Sequence, residues 1–219
     1  MNSSSLGSNG SPVVNPAQAR RNRIVLGFLL LSFVAPFVIG HFAYYNGWFA
    51  GAPTTNKGAL LSPPALFADL RLQDQAGKAL PLSFLDHHWW LVYVLPAPCG
   101  PACHNSLYQM RQVRIATGKY AERVRQLVIQ PQAPDVETLA LLGQRFPDFI
   151  RVNAQPAVLD QALAGATAGA SGAGRLYIMD PQGMLMLSYA GVADEKTSVV
   201  KAQDVLDDIK KLLKDSDVD

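Results

Sequence analysis

The sequence predicts an α/β fold, a sheet flanked by helices, preceded by one transmembrane helix. A long uncharged apolar stretch lies near the N-terminus, and beyond it strand-like apolar runs alternate with segments of helical apolar spacing. Of the 219 residues, 49% are apolar and only 16% are charged, whereas soluble domains usually have roughly 25% charged residues. Part of the chain is therefore expected to lie outside water.

The charge and cysteine content exclude several classes of protein. Lys and Arg number 19 and Asp and Glu 17, a net charge of +2, and the one basic cluster is Arg20, Arg21 and Arg23. This balance excludes a protein that coats nucleic acid, so we expect no nucleic-acid partner. Two cysteines, Cys99 and Cys103, are too few for a disulfide-stapled scaffold or a four-cysteine zinc site.

The stretch IVLGFLLLSFVAPFVIGHFAYY, residues 24–45, predicts a transmembrane helix in contact with membrane lipid. Its 22 residues contain no charge and would form a helix of roughly 33 Å, enough to cross a hydrocarbon core of about 30 Å. A cleaved signal peptide is the alternative, but the apolar regions of signal peptides have only about 7–15 residues. Tyr44, Tyr45 and Trp48 suit the membrane–water interface at the far end.

The charges on the two sides of this stretch predict its orientation. Arg20, Arg21 and Arg23 precede it, whereas Lys57 is the only basic residue among the next 25. Positive charge favours the cytoplasmic side, so we expect a single-pass inner-membrane protein with a cytoplasmic N-terminus and a periplasmic C-terminal domain. This location assumes a Gram-negative bacterium, whose periplasm is oxidising.

The rest of the chain is predicted to form one folded domain and several flexible segments. Residues 1–23 are expected to be a disordered cytoplasmic tail, since they begin with a long run rich in Ser, Asn, Gly and Pro. Residues 46–64 predict a linker because Gly and Pro recur in them. The folded domain is expected over residues 65–214, followed by an acidic tail, residues 215–219.

Two segments of this domain predict its first strands and its first helix. The segment FADLRLQDQAGKALPLSFL predicts a β-hairpin that turns at residues 75–77. The run WWLVYVL predicts a buried central strand that ends at prolines, and a helix with apolar spacing follows the two cysteines.

The remaining elements alternate strands with helices. RVRQLVIQP predicts a strand, and Asp135 caps the helix predicted for VETLALLGQRF. The Ala- and Gly-rich residues 162–174 fit either a mobile loop or a frayed helix end. Two strands around the turn at residues 181–183 and an amphipathic helix over residues 199–213 complete the domain. The order ββ-β-α-β-α-β-β-α, with a cysteine pair at the start of its first helix, is thioredoxin-like.

The spacing of Cys99 and Cys103 indicates chemistry at that helix start. At positions i and i+4 the Cα atoms are expected near 6 Å apart, within the range for a disulfide, and both sulfurs can also bind one soft metal ion. The helix dipole lowers the pKa of a thiol at a helix N-terminus, which favours nucleophilic attack and Cu(I) binding. A purely structural disulfide is the alternative.

Three segments resemble the Sco/SenC family of membrane-anchored assembly factors for cytochrome c oxidase. LVYVLPAPCGPACHNSLYQMRQV is similar to the family's apolar strand, its Cys-x3-Cys motif and the helix that follows. LVIQPQAPDVETLALLGQRF resembles the second strand, turn and helix, and RLYIMDPQGMLMLSYAG the late hairpin. The resemblance implies a thioredoxin-like domain over residues 65–214 in which two cysteines and one histidine hold copper.

The chain departs from this family at three positions. His104 replaces a proline that usually follows the second cysteine, Gly172 stands where the family has its histidine, and Gln130 replaces an aspartate. His104 is the local candidate for a third ligand or proton carrier, the alternative being a solvated residue. His87 and His88 are expected more than about 20 Å from the sulfurs, since a strand separates them.

The resemblance implies a membrane-anchored assembly factor for cytochrome c oxidase. The dithiol of Cys99 and Cys103 would deliver or receive copper, with Cu(I) favoured, or keep the oxidase's own thiols reduced. Oxidase subunits or another copper or thiol assembly factor are then the expected partners. The alternatives are a general periplasmic thiol-disulfide oxidoreductase and a binding module with a structural disulfide, although residues 174–176 lack the proline expected of an oxidoreductase.

Overall fold

The computed structural model describes residues 16–48, 55–164 and 172–216. The chain divides into two units, Met1–Thr54 and Thr55–Asp219. Most of the predicted N-terminal tail, part of the predicted linker, most of the Ala- and Gly-rich stretch and the end of the acidic tail lie outside the described residues.

The first unit contains one long helix, α1 (Pro16–Tyr45). Within it, Arg20–Tyr45 is long and apolar enough to cross a membrane, with a mean hydropathy of 2.3. The helix begins before the predicted apolar stretch, so residues 16–23 are helical and not part of a disordered tail. Ala, Gln and Arg favour helix in that segment, and a proline at the first helical position is well tolerated.

The second unit is built on a six-stranded sheet in the order β1-β6-β5-β2-β3-β4. The strands are β1 (Ala59–Leu66), β2 (Trp89–Val94), β3 (Val124–Gln130), β4 (Ile150–Asn153), β5 (Arg175–Met179) and β6 (Met184–Ala190). Strands β2, β3 and β4 are parallel, while β5 is antiparallel to β2 and to β6. All six side chains of β2 are buried, which confirms it as the predicted central strand.

Helices cover both faces of the sheet. They are α2 (Pro101–Ala116), α3 (Val136–Arg145), α4 (Pro156–Leu163) and α5 (Glu195–Asp215). Alternate residues of β2 enter two separate apolar clusters: Leu91 packs with residues of α2, α3 and α5, and Val92 packs with residues of α4. The alternation of a strand thus places α4 on the face opposite α2. The predicted α/β sheet flanked by helices is confirmed.

The predicted hairpin before β2 is confirmed at its turn, but its strands are not. Gln73 and Ala79 form an antiparallel bridge across residues 74–78, whereas the outer parts of the segment form two 3₁₀ turns, Phe67–Leu70 and Leu82–Leu85. The carboxylate of Asp74 accepts hydrogen bonds from the backbone N–H groups of Ala76 and Lys78, which closes a tight turn. The apolar residues on either side are buried beneath the sheet, so their alternation in sequence mimics a strand pair.

The structure also differs from the predicted linker, because β1 lies partly within residues 46–64. Leu61 and Ala65 of β1 are buried, and the strand pairs with β6 on both sides of an irregularity that contains Pro63 and Pro64. A proline removes a backbone donor, which an edge strand tolerates. The short elements β4 and α4 were not predicted.

A buried carboxylate fixes the segment that leads into β1. Asp208 of α5 is 4% exposed and accepts hydrogen bonds from the backbone N–H groups of Lys57 and Gly58 at 2.8 Å each. The Tyr189 hydroxyl donates to the same carboxylate at 2.6 Å. A Cβ on Gly58 would lie 2.5 Å from the Tyr189 ring, so this close approach requires glycine. The folded unit therefore begins before β1, at the contact with α5.

Candidate redox and metal site

The two cysteines lie where the central strand turns into α2. Strand β2 ends at Val94, and its continuation is held to β3 by the backbone hydrogen bond from Leu95 to Ile129. Gly100 is the N-cap of α2 and Pro101 its first residue, where the missing N–H of proline costs nothing. Cys99 thus lies just before the helix, and Cys103 lies in its first turn.

Cys99 and Cys103 form a disulfide, with their Cα atoms 5.2 Å apart. Their surroundings differ. Cys103 is only 1% exposed and belongs to the core between the sheet and α2, whereas Cys99 is partly exposed at the edge of that core. An incoming thiolate therefore reaches the sulfur of Cys99 more readily than that of Cys103.

The electrostatics of this helix start favour a thiolate once the disulfide is reduced. Helix α2 has 16 residues and no acidic side chain in its first turn. The positive end of its dipole is therefore not opposed by a local carboxylate, and such a field lowers the pKa of a nearby thiol.

The first turn of α2 packs closely against the sheet and against the segment after β6. Tyr93 of β2 is fully buried, and burial raises the pKa of its hydroxyl to about 12, opposed by the nearby Ser106 hydroxyl. Ser106 donates to the carbonyl of Ala102 at 2.9 Å. A Cβ on Gly191 would lie 2.9 Å from the carbonyl oxygen of Gly174 and 3.2 Å from Ser106 Oγ. These close contacts hold the cysteine-bearing turn in place.

His104 does not share the buried environment of Cys103. Its side chain is exposed and lines a groove of about 530 Å³ between α2, α3 and α5, together with residues such as Tyr108 and Val199. Within residues 16–48, 55–164 and 172–216, no group of three or more His, Cys, Asp or Glu side chains is arranged to hold a metal ion. A role for His104 as third ligand stays a prediction.

The other two candidate histidines lie at the far end of β2. His87 and His88 directly precede Trp89, whereas Cys99 follows the opposite end of this strand. A six-residue strand spans roughly 20 Å. The Nδ1 atom of His88 lies 3.7 Å from the exposed carboxylate of Asp86. The charged group nearest to this histidine is therefore Asp86 and not a cysteine.

Gly172 is placed against the other face of the sheet. A Cβ there would lie 2.5 Å from Leu163 Cδ1 and 3.3 Å from the Tyr177 hydroxyl, and that hydroxyl donates to the carbonyl of Gly172 at 3.2 Å. Leu163 and Tyr177 belong to the cluster opposite the one that contains Cys103. A side chain at position 172 would thus point into that opposite cluster.

Sequence reasoning missed a cavity beside the cysteine loop. It has a volume of about 200 Å³ and lies at the carboxyl ends of β2 and β3, with Pro96, Ala97 and Asp160 among its walls. The prolines that end both strands were a signal for it, because chain turns at neighbouring strand ends leave a crevice where α/β proteins often bind ligands.

Residues 89–216 match the family described as "Transmembrane-like, thioredoxin-like, C-terminal domain". The chain belongs to this family. The match confirms the predicted thioredoxin-like fold, and its name agrees with an apolar helix N-terminal to the domain.

Several solved structures are similar to this chain at low sequence identity. Apo Sco1 from Thermus thermophilus is 19% identical, with 74% of this chain and 99% of that chain covered and a TM-score of 0.50. Yeast Sco1 with copper bound is 18% identical over 72% of this chain and 95% of that chain, with a TM-score of 0.45. ScoI from Arabidopsis thaliana with copper bound is 15% identical, with 69% of this chain and 97% of that chain covered and a TM-score of 0.48. A comparison with curated protein sequences gives no match.

Proposed function

We propose that this chain is a membrane-anchored, Sco-type assembly factor for cytochrome c oxidase that acts through the dithiol of Cys99 and Cys103. The observation that supports this most is the asymmetric disulfide at the start of α2, with Cys99 partly exposed and Cys103 buried. A bridge with only a structural role needs no accessible sulfur at a helix N-terminus.

In thiol reduction, Cys99 is the attacking group. Its thiolate attacks a disulfide of the partner, forms a mixed disulfide and releases one partner thiolate. The thiolate of Cys103 then attacks the sulfur of Cys99, which releases the second partner thiolate and restores the disulfide. Two electrons pass to the partner, and a dithiol donor protein must return them to the Cys99–Cys103 pair.

In copper transfer, the metal is cargo and the reduced pair is its carrier. Two thiolates 4 residues apart supply soft donors for Cu(I), which accepts a low coordination number. His104 is the nearest candidate for a third donor in sequence. Its exposure suits a transient ligand during transfer to the oxidase better than a permanent one.

The anchor places this chemistry at a membrane surface. We infer that residues 24–45 cross the bacterial inner membrane with the N-terminus in the cytoplasm and the domain in the periplasm, since three arginines precede the span. Alkaline phosphatase fused after Gly58 is expected to be active. An inactive fusion together with an active cytoplasmic reporter at the same site would contradict this orientation.

Redox equilibration of the full-length protein in detergent tests the role of the dithiol. In glutathione buffers, we expect a reversible Cys99–Cys103 disulfide with a potential above about −300 mV, the upper range for structural disulfides. A lower potential would support the structural role. The reduced protein is also expected to bind one Cu(I) against a competing chelator, and Cys99→Ser is expected to abolish this binding.

A general thiol-disulfide oxidoreductase is the second candidate. It is favoured by the lack of a three-donor metal group among the described residues, because thiol exchange needs only the two sulfurs. The same experiment separates the two candidates: a potential above about −300 mV without Cu(I) binding supports the oxidoreductase, and Cu(I) binding supports the assembly factor.

A further inference from the structure

A cavity of about 200 Å³ lies at the carboxyl ends of β2 and β3, and the chain segment that leads to Cys99 forms part of its wall. Four chain segments form its walls: the segment that leads to Cys99, the turn after β3, helix α4, and Ala173 just before β5. The wall residues include Pro96, Ala97, Pro131, Gln132, Leu159 and Asp160.

Chain connectivity places this cavity within reach of a polypeptide bonded to Cys99. Ala97 is two residues before Cys99, so their Cα atoms are at most about 7.6 Å apart. Ala97 at the cavity wall and Pro98 beside Cys99 are both exposed. An extended partner advances about 3.3 Å per residue, so a residue one or two positions from its cysteine would reach the cavity.

The chemistry of the walls selects one kind of side chain. Leu159 is buried at the base, and the prolines present apolar surface with no N–H donor. Asp160 is exposed, is the only charged residue among the cavity walls, and its carboxylate has no hydrogen bond or ion pair with any residue that the structure describes. A long aliphatic stem that ends in a positive charge matches both features, because Lys and Arg bury the stem and keep the charge in water.

We propose that this cavity is a subsite for a Lys or Arg side chain next to the reactive cysteine of a partner polypeptide. The proposal rests on the proposed dithiol function of Cys99 and adds a substrate preference to it. Asp160 binds the positive charge and so orients the partner's sulfur toward Cys99.

Three short peptides that differ at a single position test the subsite. Each contains one cysteine in a disulfide with thionitrobenzoate, and the residue two positions away is Arg, Gln or Glu. The reduced full-length protein in detergent is mixed with each peptide. The thiolate of Cys99 attacks the peptide's sulfur and releases coloured thionitrobenzoate. Cys103 then attacks the sulfur of Cys99 and releases the peptide thiol, so that the protein loses two electrons and the peptide disulfide gains them.

We expect the Arg peptide to react two- to fivefold faster than the Gln peptide, which is the range that an exposed ion pair gives. The Glu peptide is expected to react more slowly than the Gln peptide. Asp160→Asn should remove the preference for Arg, and so should high salt, which screens such pairs. Asp86→Asn is the matched control: it removes an exposed carboxylate near the other end of β2 and should leave the preference unchanged.

The outcomes separate the two proposals. If no peptide reacts, the dithiol function fails, and the subsite fails with it. If all three peptides react at equal rates with the unmodified protein, the subsite is overturned and the dithiol function stands. A preference for Arg that persists in Asp160→Asn also overturns the subsite, because the charge that selects the partner would then lie elsewhere.

Discussion

Cys99 and Cys103 share a disulfide but occupy different environments, and this difference predicts different chemical roles for them. Cys103 is buried in the core under α2, and Cys99 is partly exposed before the helix. Reactivity of a thiol depends on both thiolate character and access. We therefore expect the position nearer the N-terminus to be the one at which a partner is bound covalently.

Alkylation of single-cysteine variants tests this assignment. The thiol of Cys99 in Cys103→Ala should react with iodoacetamide about tenfold faster or more than the thiol of Cys103 in Cys99→Ala, since only Cys99 is accessible. Rates are measured by mass spectrometry on the folded protein, and both variants should react alike in denaturant. Equal rates in the folded state would contradict the assignment.

Position 172 provides a second prediction at the residue scale. A histidine there would meet Leu163, which is fully buried, and overpacking of this kind costs about 1–3 kcal/mol. We expect Gly172→His to lower the free energy of unfolding by this amount in urea. It should add no copper ligand, because the side chain would enter the cluster opposite Cys103.

The control for this variant is Gln182→His, which places a histidine in an exposed turn and should leave stability unchanged. A Cu(II)-thiolate absorption band gained by Gly172→His would show that position 172 faces the cysteines, contrary to the structure.

Among the elements, the contact of α5 with the segment before β1 has the strongest local consequence. Asp208 accepts hydrogen bonds from Lys57, Gly58 and Tyr189 inside the protein. An amide at position 208 keeps one acceptor oxygen but loses the charge and brings a donor toward these N–H groups. Asp208→Asn is therefore expected to lower the free energy of unfolding by about 1–3 kcal/mol, as for other buried polar groups left without partners.

Urea unfolding of the full-length protein in detergent measures this loss. Asp207→Asn is the matched control, because the neighbouring carboxylate is exposed and bonds only to Gln203 among the described side chains. An equal effect of the two substitutions would mean that net charge, and not the buried contact, determines stability.

The elements that the sequence predicts are those whose signals are local. A continuous apolar run identifies β2, and Asp135 caps α3 as predicted, by accepting a hydrogen bond from the Thr138 N–H. Strand β1 is missed because Pro63 and Pro64 are typical of linkers, and only pairing with β6 shows it to be a strand.

Contacts between distant parts of the chain explain the other omissions. The contact of Asp208 with Gly58 joins residues 150 apart in sequence, and no local pattern indicates it. Likewise the spacing of the two cysteines predicts a site, but the cavity lined by the segment before Cys99 forms only when β2, β3 and α4 come together.

At the scale of the whole folded unit, buried tyrosines on both faces of the sheet limit stability at high pH. Burial raises the pKa of Tyr93 to about 12 and that of Tyr177 to about 12. The pKa of Tyr189 is raised as well, first by burial and then by its hydrogen bond to Asp208. Below about pH 10 these groups are neutral in both states. Above it the unfolded chain loses protons that the folded chain retains, so stability falls as pH rises.

Urea unfolding at a series of pH values checks this expectation. The free energy of unfolding should lose up to about 1.4 kcal/mol per pH unit for each such tyrosine above pH 10. Tyr177→Phe should make the decline less steep, whereas Tyr108→Phe, at an exposed position (59%), should not. A decline that is identical in both variants would assign the effect to other groups.

The two edges of the sheet have a consequence for many such molecules crowded together. At β1, Pro63 and Pro64 offer no N–H groups to a neighbour. At the other margin, β4 has only four residues, and its Asn153 already exchanges backbone hydrogen bonds with Gln73. Strands that cannot accept a further strand do not seed fibres or exchange segments between copies. Copies of the folded unit are therefore expected to stay separate even at high local concentration.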